Sequence, residues 1–173
     1  MIQRIQSIYL LSVSILMLFL LVSPIAKIAV ERKEVMNDKE NVVIKEIVIY
    51  KNYGAIIYSR DKAKTFYSTW PVTILTCIIG LISFVNIFLY TKRHLQIRLC
   101  IFNILLLMGL SGITYYYFTA IKKQIVISGL MVIEHAFQIS IIFPVISIII
   151  TFLAFRAVRR DELLVRSYER LRK

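Results

Sequence analysis

Glu134 and His135 set a carboxylate beside an imidazole, two side chains that move protons and hold metal ions. Neighbours on a helix point about 100° apart, so the pair is poorly placed to grip a single ion. His94, the chain's other histidine, sits at the end of a different apolar run and does not join them. The chain contains no H-E-x-x-H, no G-x-S-x-G and no glycine-rich phosphate loop. Ser12, Ser14, Ser83 and Ser111 have no base at helical spacing; they suit bonds to backbone carbonyls or close helix approach. Cys77 and Cys100 lie in apolar runs without C-x-x-C spacing, and their expected difference in depth rules out a disulfide. The residues therefore predict no enzyme, no metal site and no cofactor. The alternative is a small transporter, channel subunit or lipid-handling membrane enzyme working through Glu134 and His135.

The elements that carry these residues are set by composition. Hydrophobic residues make up 58% of the 173, charged residues 18%, and mean hydropathy is +0.73. A water-soluble chain of this size could not hide that much apolar surface. Four apolar segments stand out, at residues 8–30, 72–90, 99–120 and 131–158. Each reaches the roughly 20 residues that a helix needs to cross hydrocarbon. The first reads as a retained anchor, because "SPIAKIAV" is a poor cleavage site. The expected fold class is an all-α membrane protein: a four-helix bundle with a small extracytoplasmic β-hairpin and an amphipathic cytoplasmic tail.

The net charge of +12 would suit nucleic acid in a soluble protein. Here the cations gather at the ends of apolar runs, so the pattern speaks for topology and for anionic lipid, and against nucleic acid. An even number of crossings puts both termini on one side. Raw cation counts tie between the two sides, but those near the termini and at "TKRHLQIR" sit hard against segment ends. That density predicts both termini in the cytoplasm.

Residues 31–69 form the one sizeable polar insertion. "VVIKEIVIYKNYGAIIYS" is rich in β-branched residues and tyrosine, with "KNYG" as a turn. It predicts strands near 42–50 and 55–59. A lone hairpin is marginal in water, so it needs a partner surface. The preceding "ERKEVMNDKEN" would extend the first helix or hang free.

Polar residues inside the spans look structural. Asn86 and Asn103 fall at similar depth on an antiparallel helix pair, which predicts a hydrogen bond or near contact between them. Gly80 with Ser83, and Gly109 with Ser111 and Gly112, offer small surfaces for helix packing. Pro144 should bend the fourth helix. The tail 159–173 keeps helical spacing, with acid-before-base pairs Glu162–Arg166 and Glu169–Lys173. Arg159, Arg160, Asp161, Glu162, Arg166 and Arg170 are the residues expected to contact anionic lipid or a membrane or cytoplasmic protein partner. The function expected is that of a non-enzymatic accessory or scaffold subunit, binding through its tail and its first loop.

The opening "MIQRIQSIYLL" and the closing "RRDELLVRSYERLRK" resemble the Bacteroidota integral membrane family known as domain of unknown function 4293. The matching positions are Gln3, Arg4 and Gln6, then Asp161, Glu162, Leu164, Val165, Arg166, Ser167, Arg170 and Leu171. The resemblance implies an inner-membrane protein and carries no assigned activity. The layout is also similar to claudin-like proteins, but the paired loop cysteines of that group are absent.

Overall fold

The computed structural model describes residues 2–36, 40–59, 62–89, 92–128 and 130–171. Chain order is α1 (Ile2–Val22), β1 (Pro24–Met36), β2 (Glu40–Lys51), β3 (Gly54–Ser59), β4 (Lys62–Ser68), α2 (Trp70–Phe88), α3 (Arg93–Ile127), β5 (Met131–Phe137), a 3-10 turn (Ile139–Ile142) and α4 (Phe143–Leu171). Among the described residues the strands form an antiparallel five-stranded sheet in the order β4-β3-β2-β1-β5.

The expected all-α four-helix bundle is therefore wrong: the chain combines helices with a substantial sheet. Two stretches assigned to membrane spans are strands. After Val22 the backbone turns at Ser23 and enters β1 at Pro24. Proline lacks the N–H that a continuing helix needs and disfavours helical geometry in the residue before it. The run 131–137, expected to open the fourth span, is β5. Among the described residues, three helical stretches are long and apolar enough to cross a membrane: Trp70–Phe88, Arg93–Ile127 and Ile139–Leu164. The apolar part of α1, Gln6–Val22, is shorter. Pro144 does not bend α4. It stands in the first turn, where a missing N–H costs nothing.

The chain divides into two compact units. One holds Met1–Phe19, Leu75–Ser111 and Ile142–Lys173 and is helical. The other holds Leu20–Ile74 and Gly112–Ile141 and contains the sheet.

In the sheet unit, β2 and β3 make the hairpin that the sequence predicts, closed by Asn52–Tyr53 with Lys51 opposite Gly54. It does not stand alone. β1 pairs with β2 from Pro24 opposite Lys51 out to Met36 opposite Glu40, so the charged stretch after Val30 is strand. β4 and β5 form the edges. One face is buried: Ala26, Ile28 and Val30 on β1 lie opposite Tyr50, Val48 and Glu46 on β2, and all are buried. Lys27 and Ile47, on the alternate positions, are exposed. Phe118 packs on Phe137 at 4.7 Å between ring centroids, and Tyr117 meets Tyr67 edge-on at 6.1 Å. The turn is tied to the start of α2: the Asn52 carbonyl accepts from Thr69 Oγ1 at 2.9 Å and Thr73 Oγ1 at 3.0 Å.

In the helical unit, each helix buries a stripe at alternating steps of three and four. On α1 it runs Gln6, Leu10, Val13, Met17; on α3, Gln96, Cys100, Asn103, Leu107, Leu110; on α4, Ser147, Thr151, Ala154, Val158, Asp161. That 3.5-residue period is the seam spacing of helices packed in a left-handed supercoil. Leu10, Cys100 and Ala154 meet in one buried cluster. Gly80 is a point of close approach, since a Cβ there would sit 3.4 Å from Met17 Cβ, and Ser14 Oγ donates to its carbonyl at 3.5 Å. Gly109 and Gly112 do not close-pack: a Cβ on either meets nothing within 4 Å.

Candidate functional site

The chemistry of the helical unit concentrates where α1 and α3 begin and α4 nears its end. Asp161 continues the buried stripe of α4 and is 8% exposed. Its Oδ2 accepts from Gln6 Nε2 at 2.6 Å, and both side chains are buried. Arg93 Nη1 donates to the Asp161 backbone carbonyl at 3.2 Å. One residue on, Glu162 pairs with His94, Oε1 to Nε2 at 3.0 Å. These contacts clasp the starts of α1 and α3 to the late turns of α4.

The clasp redistributes the residues expected to face a partner. Asp161 and Glu162 turn to other helices of the same chain. Arg159 and Arg160 are exposed. The side chains of Arg166 and Arg170 lie outside those the structure describes, as do the partners of Glu162–Arg166 and Glu169–Lys173 on the basic side. Gln6, not singled out as a site residue by the sequence, is the central donor. The signal was present in the spacing: Ala154, Val158 and Asp161 fall at i, i+4, i+7, and Gln6 stands four before Leu10.

Asn86 and Asn103 are both buried on the facing helices α2 and α3, yet their amides do not bond each other. Asn103 Nδ2 donates to Ser83 Oγ at 2.8 Å, and Asn86 Nδ2 to Cys100 Sγ at 3.2 Å. Each reaches across to a residue about one turn from the other's Cα. Gln96 Nε2 adds a long bond to the Asn86 carbonyl at 3.4 Å. Cys100 is buried and Cys77 exposed; both are free thiols.

Glu134 and His135 are on the edge strand β5, opposite Ala29 and Ile28 of β1. Glu134 is exposed. Among the described residues, no three His, Cys, Asp or Glu side chains come together as a metal-binding group.

A helical unit with polar stripes sealed inside it, joined in sequence to an antiparallel sheet, defines a class: helices that include, among the described residues, three stretches long and apolar enough to cross a membrane, combined with a five-stranded sheet. The chain belongs to the family described as domain of unknown function (DUF4293), whose sequence model matches residues 2–171. The two terminal stretches that carry the resemblance meet in the clasp, since Gln6 comes from one and Asp161 from the other. No curated protein matches the chain.

Proposed function

We propose that this chain is a non-enzymatic accessory or scaffold subunit of a bacterial inner membrane, with both termini in the cytoplasm. It binds partners through the exposed arginines of α4 and through the sheet, whose strands β1–β4 follow α1 and whose β5 follows α3. The observation that carries the reading is the use of its intramembrane polar groups. Asn103–Ser83 and Asn86–Cys100 link helix to helix, and Gln6–Asp161 closes the end of the unit. These are groups of the kind that a transport path or a reaction would need, and here they hold the helices together. Chemical variety is left at the arginine-bearing end and on the sheet, whose edge strand β5 has unpaired backbone among the described residues. The cations beside segment ends support the orientation. The transporter or lipid-enzyme alternative drew on Glu134 and His135 in a helix; on β5 they lose that basis.

The test is co-purification from native membranes in mild detergent. Deleting 159–173 would also remove Asp161, so point variants are better. Arg160→Glu alters an exposed charge. Ile133→Pro alters the edge of β5 at a bulge, where Val132 and Glu134 are paired to β1 and Ile133 is not. Partners lost from one variant or both, at unchanged protein level, are the expected result. Identical partner sets for both variants and the unaltered chain would overturn the reading.

A further inference from the structure

A groove of about 450 Å³ opens between the first turns of α3 and the late turns of α4. Its polarity changes in order. At one end is the His94–Glu162 pair. One turn along the helices stand Arg98 on α3 and Arg159 on α4, one from each wall. A further turn along, the lining is Ile101 and Phe155. From His94 to Ile101 is a rise of about 10 Å along the helix. Both arginines are exposed, and among the described residues neither guanidinium has a carboxylate partner. The one acid in the groove, Glu162, is already held by His94.

We propose that this groove is a binding site for one anionic phospholipid. The phosphodiester is gripped between Arg98 and Arg159, and an acyl chain runs along Ile101 and Phe155. Guanidinium groups suit the two free oxygens of a phosphodiester, and a charge-assisted bond is stronger at the edge of a low-dielectric layer. A free phosphate would satisfy the arginines but leave the apolar end at Ile101 and Phe155 uncovered, so the order of the lining selects a lipid. Ile97 and Leu163 widen the apolar wall beside the arginines. The inference deepens the membrane reading above and rests on it: it names the lipid class that the arginine-bearing end takes.

The full chain, purified in detergent, is titrated with phosphatidylglycerol and with phosphatidylcholine, and retained lipid is read by native mass spectrometry. One tightly held phosphatidylglycerol is expected, with phosphatidylcholine bound roughly tenfold more weakly or worse. The double variant Arg98→Gln/Arg159→Gln should lose that preference by roughly tenfold or more, while Arg156→Gln, exposed and outside the groove, stays within about twofold. Arg159→Lys should recover part of the preference, because it keeps the charge and loses the fork. Helix content by circular dichroism checks that each variant folds. Equal binding of the two lipids, equal losses in the double variant and Arg156→Gln, or displacement of lipid by inorganic phosphate would each overturn the site. A chain that is soluble without detergent would overturn the membrane reading itself, which is a separate outcome.

Discussion

The helical unit and the sheet unit present different side chains to their surroundings. On α2 and α3, Leu81, Phe88, Leu105 and Met108 face outwards, each about three-fifths exposed, while Ser83, Asn86 and Asn103 are sealed inside. In the sheet, Ile28, Val30, Val48 and Tyr50 are wholly buried, and Lys27 lies on the open face. The first pattern places apolar groups where the surroundings are and keeps hydrogen-bonding groups for helix–helix contacts, which suits hydrocarbon. The second is the ordinary half-buried sheet of a protein in water. One chain therefore carries two solvation designs, and each should fail under a different insult.

The largest expected effect comes from placing a second carboxylate on the sheet's buried face, two positions from the buried Glu46. Val48→Asp sets a carboxylate beside Ile28 and Ile57, its ladder neighbours. A cost of about 3 kcal/mol or more is expected, enough to open the sheet. Limited proteolysis should cut within 24–68 while the helical unit stays protected. A uniform loss of protection across the chain would break the comparison, because it would show one cooperative structure instead of two.

Next is the clasp. Asp161→Ala removes the acceptor of Gln6 and leaves a buried amide donor unpaired, at an expected cost of about 1–3 kcal/mol. Gln6→Ala should cost at least as much, because it leaves the buried carboxylate without its donor, and the double variant should cost less than the two single losses added, because the two groups act as a pair. Thermal unfolding in detergent measures all three. Strict additivity would show that the contact does not bind the termini together. The bond from Arg93 is to a backbone carbonyl and survives the substitution.

A smaller effect separates the units by pH. Tyr50 is fully buried in the sheet, and its hydroxyl has no hydrogen-bond partner. Burial first, and the neighbouring Tyr117 second, push its phenol well above the usual value near 10. The folded state thus favours the neutral form. Its contribution is fully present below about pH 10 and is lost as pH rises beyond that, because the unfolded phenol then ionises and the folded one resists. The slope approaches about 1.4 kcal/mol per pH unit. Tyr50→Phe should flatten it at little cost at neutral pH, since no bond is lost. A sheet unit whose stability is flat above pH 10 with Tyr50 in place would count against the buried phenol.

Much of this was readable from the residues, and the failures have physical causes. The apolar runs at 72–90 and 99–120 lie within α2 and α3 apart from their ends, because length and hydropathy leave a chain few options there. The β2–β3 hairpin was visible in its β-branched residues and its turn. β1 and β5 were not, because a short apolar run reads alike as buried strand or as the end of a helix. The available signals were Pro24 and the alternation of Ile28 and Val30 with Lys27 and Glu31. At the site, depth along an antiparallel helix pair was legible for Asn86 and Asn103; the bonding partner, one turn away, depends on side-chain direction. Gln6 and Asp161 are separated by 155 positions, and no local pattern specifies such a contact. Only their places on the inward stripes hinted that both were buried.

The smallest effect tests whether the polar stripe is glue. Asn103→Ala and Ser83→Ala each remove one side of a 2.8 Å bond between α3 and α2. Bonds between helices in a membrane contribute only about 0.6 kcal/mol, because the alternative partners in the unfolded state are also sheltered from water. The coupling from a double-mutant cycle should be near that figure. Asn103→Leu is the sharper variant: it removes the buried amide, including a carbonyl oxygen that has no partner, and supplies apolar volume. If the bond is a modest structural link, Asn103→Leu unfolds no more readily than Asn103→Ala, and partner binding is unchanged. If Asn103→Leu leaves stability intact but abolishes partner binding, the buried amides serve something other than packing, and the contrast between an inert helical interior and active surfaces fails.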